Sequence, residues 1–224
     1  MKLLKKKARS FEIQVQDMVL HISAAADLNE ESRAAALSFW EQLHSYTLRN
    51  PAIRTSKRPI EVPEDAPAIV REMVVASSKA GVGPMYSFRG AVIDHVGRHL
   101  ARDMDEVTVS CGGGLFVLAR KRRKITVHSQ SGDGVIAVVV EPRKGGVGAA
   151  TASEREIPQL DALAVLAESC MLADAAAAGV RAIVAKPDGF RLSLSYLRKV
   201  PGVLGGVIVQ GQRIGVAGGV EIAS

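Results

Sequence analysis

The chain has 224 residues, 47% of them hydrophobic, and a net charge of +6, enough for one large domain or two fused small ones with a real core. Cys111 and Cys170 have neither a disulfide-framework nor a zinc-ligand spacing, which excludes a stapled scaffold and points to reduced thiols. No apolar run approaches the roughly 20 residues that span a bilayer, and the basic start at Met1–Lys7 turns polar at Ala8-Arg9-Ser10 without an export core or lipidation cysteine, so a soluble, cytoplasmic protein without a membrane partner is expected.

Phe11 to Gln16 alternates with period two and Met18 to Ile22 follows Asp17, which predicts an opening β-hairpin. Asp27 and Glu30 form a capping-box pattern ahead of Ala36, Phe39, Trp40, Leu43 and Tyr46, whose spacing predicts a long helix ending at Asn50-Pro51. Residues 51–65 read as a Pro-rich surface connection. Asp65 is placed to cap a second helix carrying Ile69, Met73 and Ala76, and a third runs from about Pro84 to Arg102.

Strands are expected near 106–110, 114–119, 124–128 and 134–141. The run Arg120-Lys121-Arg122-Arg123-Lys124 then forms an exposed hairpin tip. With Lys5-Lys6-Lys7 it supplies much of the charge, but aromatics are 4% and none interleaves with either run, so no nucleic-acid partner is expected. A glycine-rich loop at 144–149, a buried strand at Ala162–Ala167, an alanine-rich helix around Cys170–Ala178 and a helix near Phe190–Lys199 follow. Val203–Val209 and Ile214–Ile222 close the chain as strands about Gln210-Gly211. Strand pair, helices, then strands is an α+β order.

Two glycine clusters offer bare main chain to a ligand: Ala80-Gly81-Val82-Gly83-Pro84-Met85 and Ser110-Cys111-Gly112-Gly113-Gly114. Neither matches a Walker or dinucleotide fingerprint. Asp174 among alanines requires a partner if buried, and with carbonyls and water it is a donor type suited to magnesium; the alternative is an exposed helix carboxylate. His95 and His99 are four apart but have no third ligand at diagnostic spacing, and His21, His44 and His128 stand alone, so all five read as ordinary histidines. Cys111 lacks a local His or Asn partner and reads as a buried thiol.

Ala66-Pro67-Ala68-Ile69-Val70-Arg71-Glu72-Met73, the AGVGPM stretch, the glycines after VTVS, LADAA at 172–176 and the ending PGVLGGVIVQGQRIGVAGGVEI together resemble the uncharacterised ApbE-like family, relatives of FAD:protein FMN transferases. The resemblance runs from Arg9 to Ile222. It implies a T-fold-like α+β architecture of antiparallel sheets backed by helix pairs. One domain is implied, made of sub-parts at about 1–130 and 131–224 with a cleft between them.

The resemblance also implies FAD or FMN, with magnesium, held by Gly81, Gly83, Met85, Cys111, Gly112 and Gly113. Asp174 and the Gly83 carbonyl would be the metal donors. The family's threonine ligand falls on Ala178, its lysine and aspartate on Pro84 and Arg89, and its polar residues in the second cluster on Cys111 and Gly114. No histidine occurs between 135 and 165. The expected function is binding of a flavin-like or phosphate-bearing small ligand. A magnesium-dependent flavin transferase and an accessory protein of sulfur or homocysteine metabolism with Cys111 as sulfur carrier are the alternatives. Self-association is expected by analogy alone.

Overall fold

A computed structural model describes residues 8–128 and 135–223. In chain order it contains β1 (Arg9–Val15), β2 (Met18–Ala24), α1 (Asn29–Arg49), α2 (Pro51–Thr55), α3 (Ala68–Lys79), a 3-10 turn at Pro84–Ser87, α4 (Phe88–Leu100), β3 (Val107–Cys111), β4 (Gly114–Leu118), β5 (Arg123–His128), β6 (Val135–Val140), β7 (Val147–Ser153), β8 (Ala162–Ala167), α5 (Cys170–Val184), α6 (Gly189–Lys199), β9 (Val203–Gln210), β10 (Arg213–Gly218) and β11 (Glu221–Ala223).

Eight strands form one sheet in the order β1-β2-β3-β4-β7-β8-β9-β10, and β11-β6-β5 form a second. Every pairing is antiparallel, so the class is α+β with antiparallel sheets. Strands from before and after residue 130 join where β4 pairs β7. The main core fills the helix-covered face, with Leu20, Ile69, Met73, Ile93, Leu163 and Leu172 buried. A smaller core of Ile125, Val138, Val140, Ala164, Leu166 and Val207 joins the second sheet to the first. Among the described residues no helix is long and apolar enough to cross a membrane.

Several boundaries differ from the sequence expectation for local reasons. The capping box does not form: Leu28 occupies the N-cap of α1, while the Asp27 carboxylate accepts the Asn29 N–H at 3.3 Å. Helical structure restarts at Pro51, whose fixed φ suits a first turn. Pro67 rather than Asp65 precedes α3, and the third helix begins as a 3-10 turn. The glycine-rich loop enters β7, and the last predicted strand divides at Gly218 into β10 and β11, which belong to different sheets.

The run at 120–124 is not a hairpin tip, because it links β4 of the large sheet to β5 of the small one. Its arginines are paired: Arg120 with Asp105, Arg122 with Glu141 and Glu221, Arg123 with Glu106. Lys5–Lys7 lie outside the described residues.

The first turn of α5 is the most constrained packing point. On one side a β-carbon at Gly90 of α4 would lie 2.7 Å from the Cys170 carbonyl carbon and the Met171 nitrogen. On the other, a β-carbon at Gly148 of β7 would overlap the Ser169 carbonyl carbon and the Cys170 nitrogen. The helix end is thus slotted between a helix and a strand that both lack side chains there. Gly148→Ala is expected to lower stability by about 1–3 kcal/mol or more through forced backbone displacement, measured by urea unfolding; a wild-type midpoint would contradict this packing.

Candidate functional site

α4 and α5 cap one another where they cross. Asp94, 2% exposed on α4, accepts the Cys170 N–H at 2.8 Å through Oδ1 and the Met171 N–H at 2.9 Å through Oδ2. Ser169 completes the cap: its Oγ accepts the Leu172 N–H at 3.2 Å and its carbonyl accepts the Ala173 N–H at 3.0 Å. The orphan amides of Cys170, Met171 and Leu172 therefore have side-chain partners, and the Ala173 bond is the first of the helix itself. In return, the Gly90 N–H in the first turn of α4 favours the ionised form of Asp174 of α5, and Ser87 Oγ donates to the Met171 carbonyl at 3.0 Å.

Both carboxylates sit where charge is costly. Burial pushes Asp94 up to about 6, opposed by the N–H groups of Met171 and Cys170. Asp174 retains some solvent contact as a residue, but protein atoms crowd its carboxylate. Burial raises it to about 7, against the pull of the Arg89 guanidinium, and the neighbouring Asp94 charge raises it further. The exposed-aspartate alternative for residue 174 does not hold.

Asp174 borders the β3–β4 turn. The β-carbon position missing from Gly114 lies 3.4 Å from Asp174 Oδ1 and 3.1 Å from Cys170 Sγ. Cys111 pairs with Gly114 across a two-residue turn in which Gly112 has φ +57°, the left-handed first position that a II′ hairpin turn gives to glycine. Gly113 is pinned to β7, its carbonyl accepting the Thr151 N–H at 2.8 Å and the Thr151 hydroxyl at 3.2 Å. Arg89 is exposed. It reaches over the turn so that one guanidinium nitrogen lies 2.7 Å from where a Gly112 β-carbon would be. Cys111, Gly112, Gly113, Asp174 and Arg89 form one neighbourhood.

The first glycine cluster has main-chain work of its own. Gly81, φ +71°, closes α3 in a Schellman motif, its N–H bonding Ser78 O and that of Val82 bonding Ser77 O, both at 3.0 Å. Gly83 is packed so tightly on Ser56 that a β-carbon would overlap the Ser56 carbonyl oxygen, and its own carbonyl accepts the Tyr86 N–H at 3.3 Å. Met85 and Tyr86 are exposed on the turn leading to Arg89. This segment meets α5 through Ser87, one helical turn from Asp174.

The side chains gathered here are a sparse oxygen set for magnesium. Mg²⁺ demands a near-octahedral set of oxygens. Both Asp94 oxygens are committed to amides, position 178 is alanine, and Asp174 already faces a guanidinium. Among the described residues no group of three His, Cys, Asp or Glu side chains could hold a metal.

His95 and His99 likewise diverge, to Glu72 at 3.3 Å and Glu31 at 3.2 Å, with Phe39 edge-on to both rings. His21 pairs with Glu12 at 2.9 Å and His44 stacks on Trp40. Cys111 is buried, and burial raises its thiol although Arg89 opposes the shift. Burial raises Cys170 well above the usual thiol range. A cavity of about 320 Å³ lies on the Asp94 side of α5, lined by Lys79, Arg98, Phe116, Gly145, Glu168 and Ser169 among others, with Arg89 and Asp174 outside it.

The sequence reading missed Asp94 as a cap and treated Arg89 only as a departure from a motif. Asp94 did carry a signal, a carboxylate within the inward stripe Val92, Ile93 and Val96.

A family model described as AbpE bacteria matches residues 1–191. A UPF0280 protein of Methanosarcina barkeri is 28% identical over 211 residues, covering 90% of this chain and 80% of its own. One of Methanopyrus kandleri is 28% identical over 221 residues, covering 92% and 88%. Among solved structures, the apo flavinyl transferase ApbE of Pseudomonas stutzeri has 16% identity and a TM-score of 0.61, with 100% of this chain and 97% of that one covered. The apbe protein of Thermotoga maritima has 13% identity and a TM-score of 0.64, covering 94% and 97%. At these identities the structures share the fold.

Raised carboxylates make the folded state the better proton binder. Their stabilising contribution is full below the unfolded value near 3.8 and is lost as pH rises through about 6 and about 7. Melting temperature is expected to fall from pH 5 to pH 8, and Asp174→Asn is expected to flatten the upper part of that decline. A variant profile parallel to wild type would contradict the placement of Asp174.

Proposed function

Because this chain belongs to the AbpE bacteria family, we propose that it binds a flavin-like, phosphate-bearing small ligand where the β3–β4 turn, the start of α4 and the Asp174 face of α5 meet. The carrying observation is Arg89. Among the described residues its guanidinium has no hydrogen bond or close ion pair, yet it lies over a bare glycine turn. A fork of N–H donors beside side-chain-free backbone suits phosphate oxygens.

Met85 and Tyr86, exposed on the same approach, supply apolar surface for a planar ring. The relatives' printed role in flavin transfer supports flavin as the class to test. A T-fold-like label and a cytoplasmic setting belong to the same reading.

The proposal is one of binding. A sulfur-carrier role for Cys111 is opposed by its burial and raised thiol, since the thiolate is the reactive form. The general acid–base and metal chemistry of a transfer reaction is not visible in the donor set around Asp174.

Thermal unfolding with FAD, FMN, nucleotides and pterins tests the reading. A ligand at a hundred times its dissociation constant adds about 2.7 kcal/mol, which for this size raises the melting temperature by roughly 5–10 °C. A flavin is expected to give that shift and nucleotides lacking the ring a smaller one; no shift with any flavin would contradict the proposal.

A further inference from the structure

We infer that Arg89 takes the place of a divalent metal in this protein, so that the phosphate or diphosphate of its ligand is bound by a guanidinium and turn amides without magnesium. The inference rests on the binding reading above and specifies how that site holds its anion.

Three observations carry it. The cation is already present and already positioned: Arg89 follows the 3-10 turn at the start of α4, and its guanidinium lies against Gly112, where no side chain intervenes. It is also unspent. Arg98, Arg120, Arg122 and Arg123 all hold carboxylates, whereas Arg89 has no such partner within hydrogen-bonding or ion-pair distance among the described residues.

The third observation is the donor set. One carboxylate beside a guanidinium, with the other carboxylate committed to two amides, is a poor cage for a hard dication that demands several oxygens. A second positive charge placed beside Arg89 would also be repelled. An anion meets the opposite situation. Arg89 attracts it, the start of α4 adds a favourable dipole, and the glycine turn allows close approach.

Three proteins decide the matter: wild type, Arg89→Ala and Arg89→Lys. Arg89 is exposed, so the variants are expected to fold, and unchanged circular dichroism and melting temperature without ligand verify it. Calorimetric titration uses FAD and inorganic diphosphate as probes, each in EDTA and in excess magnesium. Wild type is expected to bind both probes with affinities that agree within about two-fold in the two buffers. Arg89→Ala is expected to lose about ten-fold or more for both probes, and Arg89→Lys to keep part of the affinity as a point charge without the fork.

FAD binding that needs magnesium, or that survives Arg89→Ala unchanged, would overturn this inference and leave the flavin reading standing. Metal-free, Arg89-dependent binding of diphosphate without FAD binding would support the inference and overturn the flavin reading. Binding of neither probe in either buffer would overturn both.

Discussion

The carboxylate of Asp94 on the first two amides of α5 is the contact on which the rest of the arrangement depends. A helix end driven into a core brings orphan N–H groups with it, and each left unsatisfied costs about 1–3 kcal/mol. Asp94 removes two of them at once, and the Ser169 hydroxyl removes the next. The geometry is possible because Gly90 and Gly148 leave the helix end a slot. The two glycines and the carboxylate form a single device, since the glycines set the distance and Asp94 satisfies the polar groups brought in.

The position of the candidate site follows from that crossing. With α5 fixed through Asp94, Asp174 is carried to the β3–β4 turn, beside the missing β-carbon of Gly114, and feels the Gly90 N–H at the start of α4. Arg89, one residue before Gly90, is thereby set over Gly112. A solvent-facing cation thus lies beside a fixed backbone turn. The buried carboxylates raise the electrostatic cost of the region, and the guanidinium offsets part of it.

Much of the layout was legible in the chain. The β1–β2 hairpin, β8 and the core faces of α3 and α4 follow from apolar periodicity, because tertiary burial and local pattern agree there. The glycine-rich loop expected at 144–149 covers the start of β7, because Gly145, Gly146 and Gly148 lack strand propensity. Its Gly148 is small for a non-local reason, the approach of Ser169 and Cys170.

The ion pairs of Arg122 with Glu141 and Glu221 and the Asp94 cap, 76 residues from Cys170, also join distant parts of the chain and leave no local pattern. Glycine richness itself was ambiguous, since a helix terminator at Gly81, a hairpin turn at Gly112 and a ligand-facing strand of backbone look alike in sequence. The second glycine cluster and Asp174 do meet, while Gly81 and Gly83 serve α3 and the segment at Ser56.

Native-state hydrogen exchange at the amides of Cys170 and Met171 tests the central contact most directly. If Asp94 clamps the start of α5, both amides exchange only through global unfolding, with protection equal to that of the core strands, and Asp94→Ala releases them to local opening. Rapid exchange of these two amides in the wild-type protein, while β8 remains protected, would contradict the account.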